Sequence, residues 1–265
     1  DDDEEEEEEE EDEENPAPPA LLRSPPLLRG QTSSSLTLAQ SARSVEFWIL
    51  FATLTLSSGA ATTLVNNQDV VAAACGASDA ASSAALVSLF SVCNCVGRLV
   101  EGLCSDAGAR AGAPRAATLM AAQSLVAVGI AVVCASPTPG GVFAAVAING
   151  FALGAHWSFL PSACAEIFGP THLGAVYGGL SLSPMIGSYV LSTVVFGRAY
   201  DAAEARDGGG EGGECRGAGC FRAAMMTCVA CCVASLALTW RLCARTARVC
   251  EHAREEGRRA ASRVV

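Results

Sequence analysis

Charged side chains are missing from the middle of this chain. Between Ala116 and Ala165 the sequence contains no Asp, Glu, Arg or Lys, and only the turn at residues 136–141 interrupts the apolar run. A soluble domain has too much surface to leave such a segment uncharged, whereas two bilayer-spanning helices joined by a tight turn require it. The absence of charge therefore excludes a soluble fold and predicts a membrane protein.

Several other patterns are missing as well. The sequence lacks the alternating ten-residue segments of outer-membrane strands and the polar faces of a buried soluble bundle. No span contains paired carboxylates, a His/Asp/Glu metal cluster or a Ser–His arrangement, so we predict no enzyme, no metal and no cofactor. Nothing predicts binding to nucleic acid. Lysine is absent while Arg, Ala and Gly are abundant, which indicates a nucleotide-composition bias of the source.

Six segments free or nearly free of charge are present. Each is long enough to cross the roughly 30 Å hydrocarbon core as a helix. They cover residues 47–68, 80–97, 116–135, 140–163, 173–197 and 223–240. The sequence predicts an all-α membrane protein whose six transmembrane helices lie within residues 45–243, in contact with the lipid bilayer.

The net charge of -11 describes a tail rather than the folded body. Of the 28 acidic residues, 14 occupy positions 1–14, which leaves 14 acids against 17 Arg in the remainder. Because such a run repels itself, we expect residues 1–44 to be a disordered acidic and Pro/Ser-rich tail or linker, with a specific binding role as the alternative. Residues 244–265 are expected to form a basic cytoplasmic tail. The chain begins with Asp1, as a fragment, a processed product or an incomplete gene model would.

The arginines predict an orientation. If the amino terminus is cytoplasmic, 13 of the 17 Arg lie on the cytoplasmic side, and Arg198, Arg206, Arg216 and Arg222 lie on the other. This distribution follows the positive-inside rule and places Trp48 and Trp240 at the cytoplasmic interface. We therefore expect an integral, multi-pass protein with both termini in the cytoplasm, without an indication of which membrane holds it.

Most of the 13 cysteines lie in or beside the apolar segments, where Cys packs as a small polarizable side chain. Cys228 and Cys231 have redox spacing, but they lie inside an apolar helix with no nearby His, so packing is the favoured interpretation. Cys215 and Cys220 differ because they lie in the polar loop before the last span. They are candidates for a disulfide if that side is oxidising.

Polar residues inside a membrane are costly and therefore mark pathways or structural pairs. Asn66, Asn67 and Gln68 end the first span, where they are either interfacial or line a cavity. Asn149, His156 and Trp157 in the fourth span are further candidates for lining a solute site. His156 would bind substrate or carry a proton, or else bond a carbonyl of a neighbouring helix.

The second span ends in candidate gating residues. Arg98 and Glu101 are three residues apart and are expected to neutralise each other. Gly102 and Asp106, after Gly97, have a G-x-x-x-D spacing that resembles the gating motif of the major facilitator superfamily, although Ala107 replaces the usual basic residue. We expect Asp106 either to latch onto the start of the fifth span near residues 171–174 or to mark the membrane boundary.

Further gating candidates lie in the fourth and fifth spans. Pro161 is expected to break or kink its helix, Glu166 follows it, and Pro184 is expected to kink the fifth span, as in a moving gate or a static bundle. Glycines at residues 150 and 154, and small residues at 179, 183 and 187, predict close helix contacts.

A family resemblance rests on the stretch 154–169, with Gly154-Ala155-His156-Trp157-Ser158, Pro161 and Glu166-Ile167-Phe168-Gly169, and on Ile186-Gly187-Ser188-Tyr189, Tyr200-Asp201, Leu86-Val87-Ser88-Leu89, Asn94 and Gly97-Arg98. These residues resemble the carboxy-terminal half of plant nodulin-like proteins of the nuclear-fusion-defective type. The resemblance covers roughly residues 45–201. It implies a major facilitator fold, with the six spans as its second half and the tail as the linker between the halves.

The leading hypothesis for function is a secondary transporter that moves a small solute by alternating access. Its site would lie between this half and a missing amino-terminal six-helix half, or a second subunit. No lone basic residue lies at mid-membrane to hold a carboxylate, which weakens the case for an anionic solute. The alternative is a non-transporting scaffold, receptor or half-size partner subunit.

Overall fold

The computed structural model describes residues 35–111, 113–206 and 215–261, and the side chains of these ranges up to residue 245. Six helical segments are long and apolar enough to cross a membrane, and no strand occurs in the described ranges. The six are α2 (Val45–Asn66), α4 (Ala80–Ala111), α5 (Ala116–Ala135), α6 (Pro139–Phe168), the continuous span Leu173–Arg206, and Arg222–Arg245. The prediction of an all-α protein with six transmembrane helices is confirmed.

Shorter elements connect and subdivide these spans. α1 (Leu38–Ser41) precedes α2, and α3 (Gln68–Ala74) follows it almost without a break. The fifth span consists of α7 (Leu173–Ser188), a π-helical segment (Tyr189–Val195) and α8 (Phe196–Arg206). A short 3₁₀ turn (Ala218–Cys220) leads into α9 (Arg222–Ala261), whose first part is the sixth span.

Local sequence explains where two of the long helices begin. The Ser44 hydroxyl accepts the Phe47 N–H at 3.3 Å and caps α2. Thr138 caps α6 in the same way by accepting the Gly141 N–H at 3.2 Å, and Pro139 occupies the first helical position, where its missing N–H costs nothing. Both caps stand at the edges of apolar segments, so the helices start where the charge-free runs start.

The helices pack in a definite order around the central contact between α2 and α6. α6 lies between α4 and α5, α2 lies between α7 and α9, and α5 packs against α9. The helices α4 and α7 therefore form the two edges of the bundle. Only 11% of the residues in the most apolar stretch of α4 are buried, against 61% in the corresponding stretch of α6. Most of the α4 surface therefore faces outward from the bundle.

Glycines permit the closest helix contacts. A Cβ added at Gly97 of α4 would collide with the carbonyl of Phe151 on α6, and one at Gly154 would collide with the carbonyl of Asn94. The predicted contact surface at residues 150 and 154 is thus the α4–α6 interface. Gly187 of α7 faces Gly59 of α2, and a Cβ added at either glycine would collide with the backbone of the other helix.

Two expectations about chain organisation require correction. Residues 35–44, assigned to the disordered tail, are ordered: Leu36 donates its N–H to the Phe168 carbonyl at 2.9 Å, and Thr37 and Gln40 form a capping box for α1. Residues 1–34 lie outside the described ranges. The basic tail at residues 244–265 stays a prediction, and α9 continues into it from the last span, as far as Ala261. The α6 helix is not broken at Pro161 but continues to Phe168.

The irregular backbone in the fifth span lies beyond its proline. Pro184 is buried within α7, and the helix continues through it to Ser188. The π-helical segment begins at the next residue, Tyr189. Segments of this kind are uncommon in helices and often occur at functional positions. The structure thus places the local distortion one turn and more after Pro184.

Candidate functional site

Arg98 lies on the exposed face of α4. Its Nε donates to Asn94 Oδ1 at 3.1 Å, and Asn94 Nδ2 in turn donates to the Gly150 carbonyl of α6 at 3.3 Å. The expected neutralisation by Glu101 does not occur, because Glu101 is buried and bonds elsewhere. Within the described part of the chain, Arg98 forms no ion pair.

The backbone of Arg98 lies level with the middle of the bundle. A Cβ at Gly154, halfway along the 30-residue α6, would be 3.1 Å from the Arg98 amide nitrogen. The structure therefore places Arg98 beside the middle of α6, without an ion pair in the described ranges, which the sequence interpretation did not expect.

His156 is enclosed between α6 and α2, with 2% of its surface exposed. Its Nδ1 lies 2.7 Å from the Ala152 carbonyl one turn earlier, and its Nε2 lies 3.0 Å from the Ser57 hydroxyl on α2. Since a carbonyl only accepts, Nδ1 carries a proton, while Nε2 bonds a Ser57 hydroxyl that also lies 2.9 Å from the Thr53 carbonyl. His156 thus bonds its own helix and a neighbouring hydroxyl, rather than a neighbouring carbonyl.

The other two candidates on α6 differ in exposure. Asn149 is fully buried, where its Nδ2 donates to the Ala145 carbonyl at 3.0 Å and its Oδ1 has no hydrogen-bond partner among the described residues. A side chain at Gly129 of α5 would collide with this amide, so α5 closes over it. Trp157 is half-buried beside the apolar core. Asn149 and His156 lie inside the bundle and do not line its outer surface.

The amides that end α2 meet the π-helical segment. Asn66 Nδ2 donates to the Ser188 hydroxyl at 3.1 Å, and Asn67 Nδ2 donates to the hydroxyl of Ser192 at 3.0 Å and to its carbonyl at 3.4 Å. Gln68 is buried, and its Oε1 has no partner. Asn66 and Asn67 therefore tie α2 to the distorted part of the fifth span.

A charged cluster joins α4, α5 and α6 at one end of the bundle, the end that the sequence predicts to be cytoplasmic. Arg115, just before α5, donates from Nη1 to Asp106 at 3.1 Å and to Ser105 at 2.9 Å, and its Nε lies 2.8 Å from Glu166 of α6. The expected contact between Asp106 and residues 171–174 is replaced by this pair. Thr171 instead bonds Ser35, with 2.8 Å between their hydroxyl oxygens.

Glu101 lies in the same region but forms no ion pair with any residue that the structure describes. It is 6% exposed, and its Oε1 lies 2.6 Å from the Thr118 hydroxyl of α5. Gly102, beside it, lies close to Ser158 of α6. Another ion pair links α9 to α2, where Arg245 donates to Glu46 at 2.7 Å.

The opposite end of the bundle is closed by the last loop. Cys215 and Cys220 are joined in a disulfide, and both are buried among apolar side chains. Within that loop the Gly217 N–H donates to the Ala74 carbonyl of α3 at 2.8 Å.

At the start of α4, hydrogen bonds from the hydroxyl and N–H of Ser82 hold the pKa of Asp79 below its usual value.

Some residues of the site had no sequence signal of their own. Ser57 and Thr118 are hydroxyls within apolar segments and become significant only through the helices that face them. Arg115 had a signal, because it lies in the short charged loop between two spans, where it can reach both α4 and α6. Within the described ranges, no group of three or more His, Cys, Asp and Glu side chains is arranged to hold a metal ion.

The six spans, the close glycine contacts and the charge cluster around Arg115 define an α-helical, polytopic membrane protein. A family model described as "NFD4, C-terminal domain" matches residues 34–251, and the chain belongs to this nodulin-like family. The resemblance drawn from the sequence is thereby confirmed, as is a fold corresponding to the carboxy-terminal half of a major facilitator protein.

Two curated relatives carry transporter descriptions. The "Uncharacterized MFS-type transporter YhjX" of Escherichia coli (strain K12) is 31% identical over 160 residues, which cover 60% of this chain and 39% of that protein. The "Probable transporter MCH1" of Yarrowia lipolytica is 28% identical over 154 residues, which cover 54% of this chain and 30% of that protein. The matched region thus spans less than half the length of either relative.

Proposed function

We propose that this chain is the carboxy-terminal half of a secondary transporter that moves small organic anions by alternating access. The observation that carries the anionic specificity is the position of Arg98: exposed on α4, beside the middle of the α6 span, and without a carboxylate partner in the described ranges. The similarity to transporters supports the general class.

An unpaired guanidinium inside a membrane is costly, so such a group faces a cavity and requires a counter-charge. Asn94 fixes the Arg98 Nε and leaves the two terminal nitrogens for another acceptor. The planar fork of Arg matches a carboxylate with two parallel hydrogen bonds. An anionic solute therefore satisfies Arg98 in a way that a neutral solute does not.

The surface that carries Arg98 supports a site shared with another set of helices. Large apolar side chains beside Arg98 are exposed, including Leu99 at 64% and Leu103 at 72%. A second six-helix half, or a second subunit, would bury this face and enclose the solute between the two. The lining surface of this half then includes Arg98 and the half-buried Trp157, while His156 and Asn149 position α6 from within.

The Arg115 cluster is the proposed cytoplasmic latch of this half. Asp106 and Glu166 hold the same guanidinium, so the ends of α4, α5 and α6 move together while these ion pairs are intact. Opening the cytoplasmic side requires at least one of the two pairs to separate. In this role Asp106 and Glu166 are gating residues and do not contact the solute.

The proposal is tested by uptake of labelled lactate and succinate into proteoliposomes that contain the intact protein. We expect Arg98→Gln to abolish carboxylate uptake, whereas Arg98→Lys retains the charge but loses the two-pronged geometry and keeps a fraction of the rate. Arg110→Gln is the matched control, because Arg110 is an exposed arginine on the same helix outside the proposed site.

Each outcome has a definite meaning. Loss of uptake in Arg98→Gln with a normal rate in Arg110→Gln supports the anion site. Equal rates in Arg98→Gln and the wild type contradict it. If the wild-type protein shows no saturable uptake of any solute tested, the non-transporting scaffold or partner subunit becomes the better description.

A further inference from the structure

We propose that Glu101 is a proton-binding site that couples solute movement to the uptake and release of a proton on the cytoplasmic side. The inference rests on the proposed transport function, and its first test does not depend on transport. It starts from an observation that the anion site leaves unexplained: a buried carboxyl group on α4, one turn from Arg98, without a cation in contact.

The surroundings of Glu101 disfavour a permanent negative charge. The residue is 6% exposed, and its one side-chain partner in the described ranges is the neutral hydroxyl of Thr118, at 2.6 Å. A buried carboxylate normally requires a cation or several hydrogen bonds, and the neutral acid requires much less. Glu101 therefore lies where binding a proton removes an uncompensated charge from the protein interior.

Thr118 is placed to accommodate both protonation states. Its hydroxyl oxygen lies 2.6 Å from Glu101 Oε1 and 2.8 Å from the Arg115 carbonyl. A hydroxyl has one proton to donate and two lone pairs to accept. When Glu101 is protonated, the acid donates to Thr118, and Thr118 donates to the carbonyl. When Glu101 is ionised, the same hydroxyl rotates and donates to the carboxylate.

The charged groups around Glu101 link its proton to the latch. On α4 itself, Asp106 lies toward the cytoplasm and Arg98 lies on the exposed face; α5 contributes Arg115, and α6 contributes Glu166. The helix α3 meets α4 at its other end, where Ser83 bonds Asp69, far from Glu101. Arg115 is the cation that Asp106 and Glu166 already share, and its carbonyl accepts from the Thr118 hydroxyl that also bonds Glu101.

The proton step follows from this geometry. Release of the Glu101 proton to cytoplasmic water leaves a third carboxylate beside one guanidinium. The new charge attracts Arg115 away from Asp106 and Glu166, which weakens the latch between α4, α5 and α6. Binding a proton restores the latch. One proton is taken up or released in each cycle, and no other bond is made or broken.

The first test is infrared difference spectroscopy on the intact protein in lipid nanodiscs. We expect the wild type at neutral pH to show a carboxylic-acid C=O band that is absent in Glu101→Gln and retained in Asp106→Asn, whose target side chain is 61% exposed. Glu101→Gln preserves the shape and can still bond Thr118, so normal helix content and thermal stability are expected. If wild type and Glu101→Gln give the same spectrum at neutral pH, the inference is overturned.

The second test separates this inference from the proposed function. In proteoliposomes, a pH gradient of one unit should drive about tenfold accumulation of lactate if one proton accompanies each anion. We expect Glu101→Gln to exchange labelled for unlabelled lactate but to lose accumulation driven by the gradient. Retained accumulation in this variant contradicts the proton site. A protonated Glu101 in a protein that exchanges no solute contradicts the transport proposal instead.

Discussion

Replacing Arg115 should destabilise the bundle more than replacing either of its acidic partners. The side chain of Arg115 is 16% exposed, that of Glu166 is 27% exposed and that of Asp106 is 61% exposed. Breaking a fully buried ion pair costs about 3 to 5 kcal/mol, whereas exposed pairs contribute about 0 to 1 kcal/mol. The Glu166 pair lies between these limits, and the Asp106 pair lies near the lower one.

These exposures give an expected order of effects. We expect the free energy of unfolding to fall by about 2 to 3 kcal/mol in Arg115→Gln, which leaves Glu166 without a cation, and by about 1 to 2 kcal/mol in Glu166→Gln. Asp106→Asn should cost less than about 1 kcal/mol. For a chain of this size, the largest of these changes lowers the melting temperature by roughly 4 to 12 °C.

Thermal unfolding is followed with a thiol-reactive dye, because the free and buried Cys164 and Cys228 become accessible only when the helices separate. Arg110→Gln controls for the loss of a positive charge at the same end of the bundle. A destabilisation by Asp106→Asn that equals or exceeds that of Glu166→Gln would refute the reasoning. So would an unchanged melting temperature in Arg115→Gln.

Two further predictions concern the helix contacts and the buried histidine. Gly97→Ala should lower the free energy of unfolding by about 1 to 3 kcal/mol, because the added methyl group collides with the Phe151 carbonyl. Gly174→Ala, with open space around the added methyl group, should be neutral or stabilising. Equal melting temperatures of the two variants would contradict the α4–α6 contact. His156→Ala should slow uptake because it removes the link from α6 to Ser57, and His156→Gln should slow it less. Neither His156 variant should change the dependence of uptake on pH, in contrast to Glu101→Gln. Uptake at the wild-type rate in both His156 variants would show that His156 only packs.

The spans were predictable because their signal is local. A bilayer-crossing helix needs an uninterrupted apolar segment, and charged residues mark its ends, so residues 116–135 were assigned with both bounds correct. The end of α4 was not predicted correctly. The apolar segment ends at residue 97, but the helix continues through Arg98, Glu101 and Asp106 to Ala111. Charge near a helix end does not reveal whether the helix stops or extends beyond the membrane.

The pairing of side chains was less predictable, since it depends on how each helix is rotated against its neighbours. Arg98 and Glu101 are close in sequence, but the contact of Gly97 with Phe151 turns Glu101 toward α5 and leaves Arg98 outside. Asp106 was assigned to the fifth span although the nearer partner, Arg115, lies only nine residues away. The position of Arg98, exposed beside the middle of α6 and without an ion pair in the described ranges, is therefore a property of the packing and could not be inferred from spacing alone.

The most direct measurement of function is trans-stimulated exchange in proteoliposomes that contain the intact protein. Vesicles preloaded with unlabelled lactate should take up labelled lactate faster than empty vesicles, and lactamide, which has the same shape without the charge, should not compete. This result would support both alternating access and the selection of an anion by Arg98. The absence of trans-stimulation would contradict transport, and equal competition by lactamide would contradict the anion site.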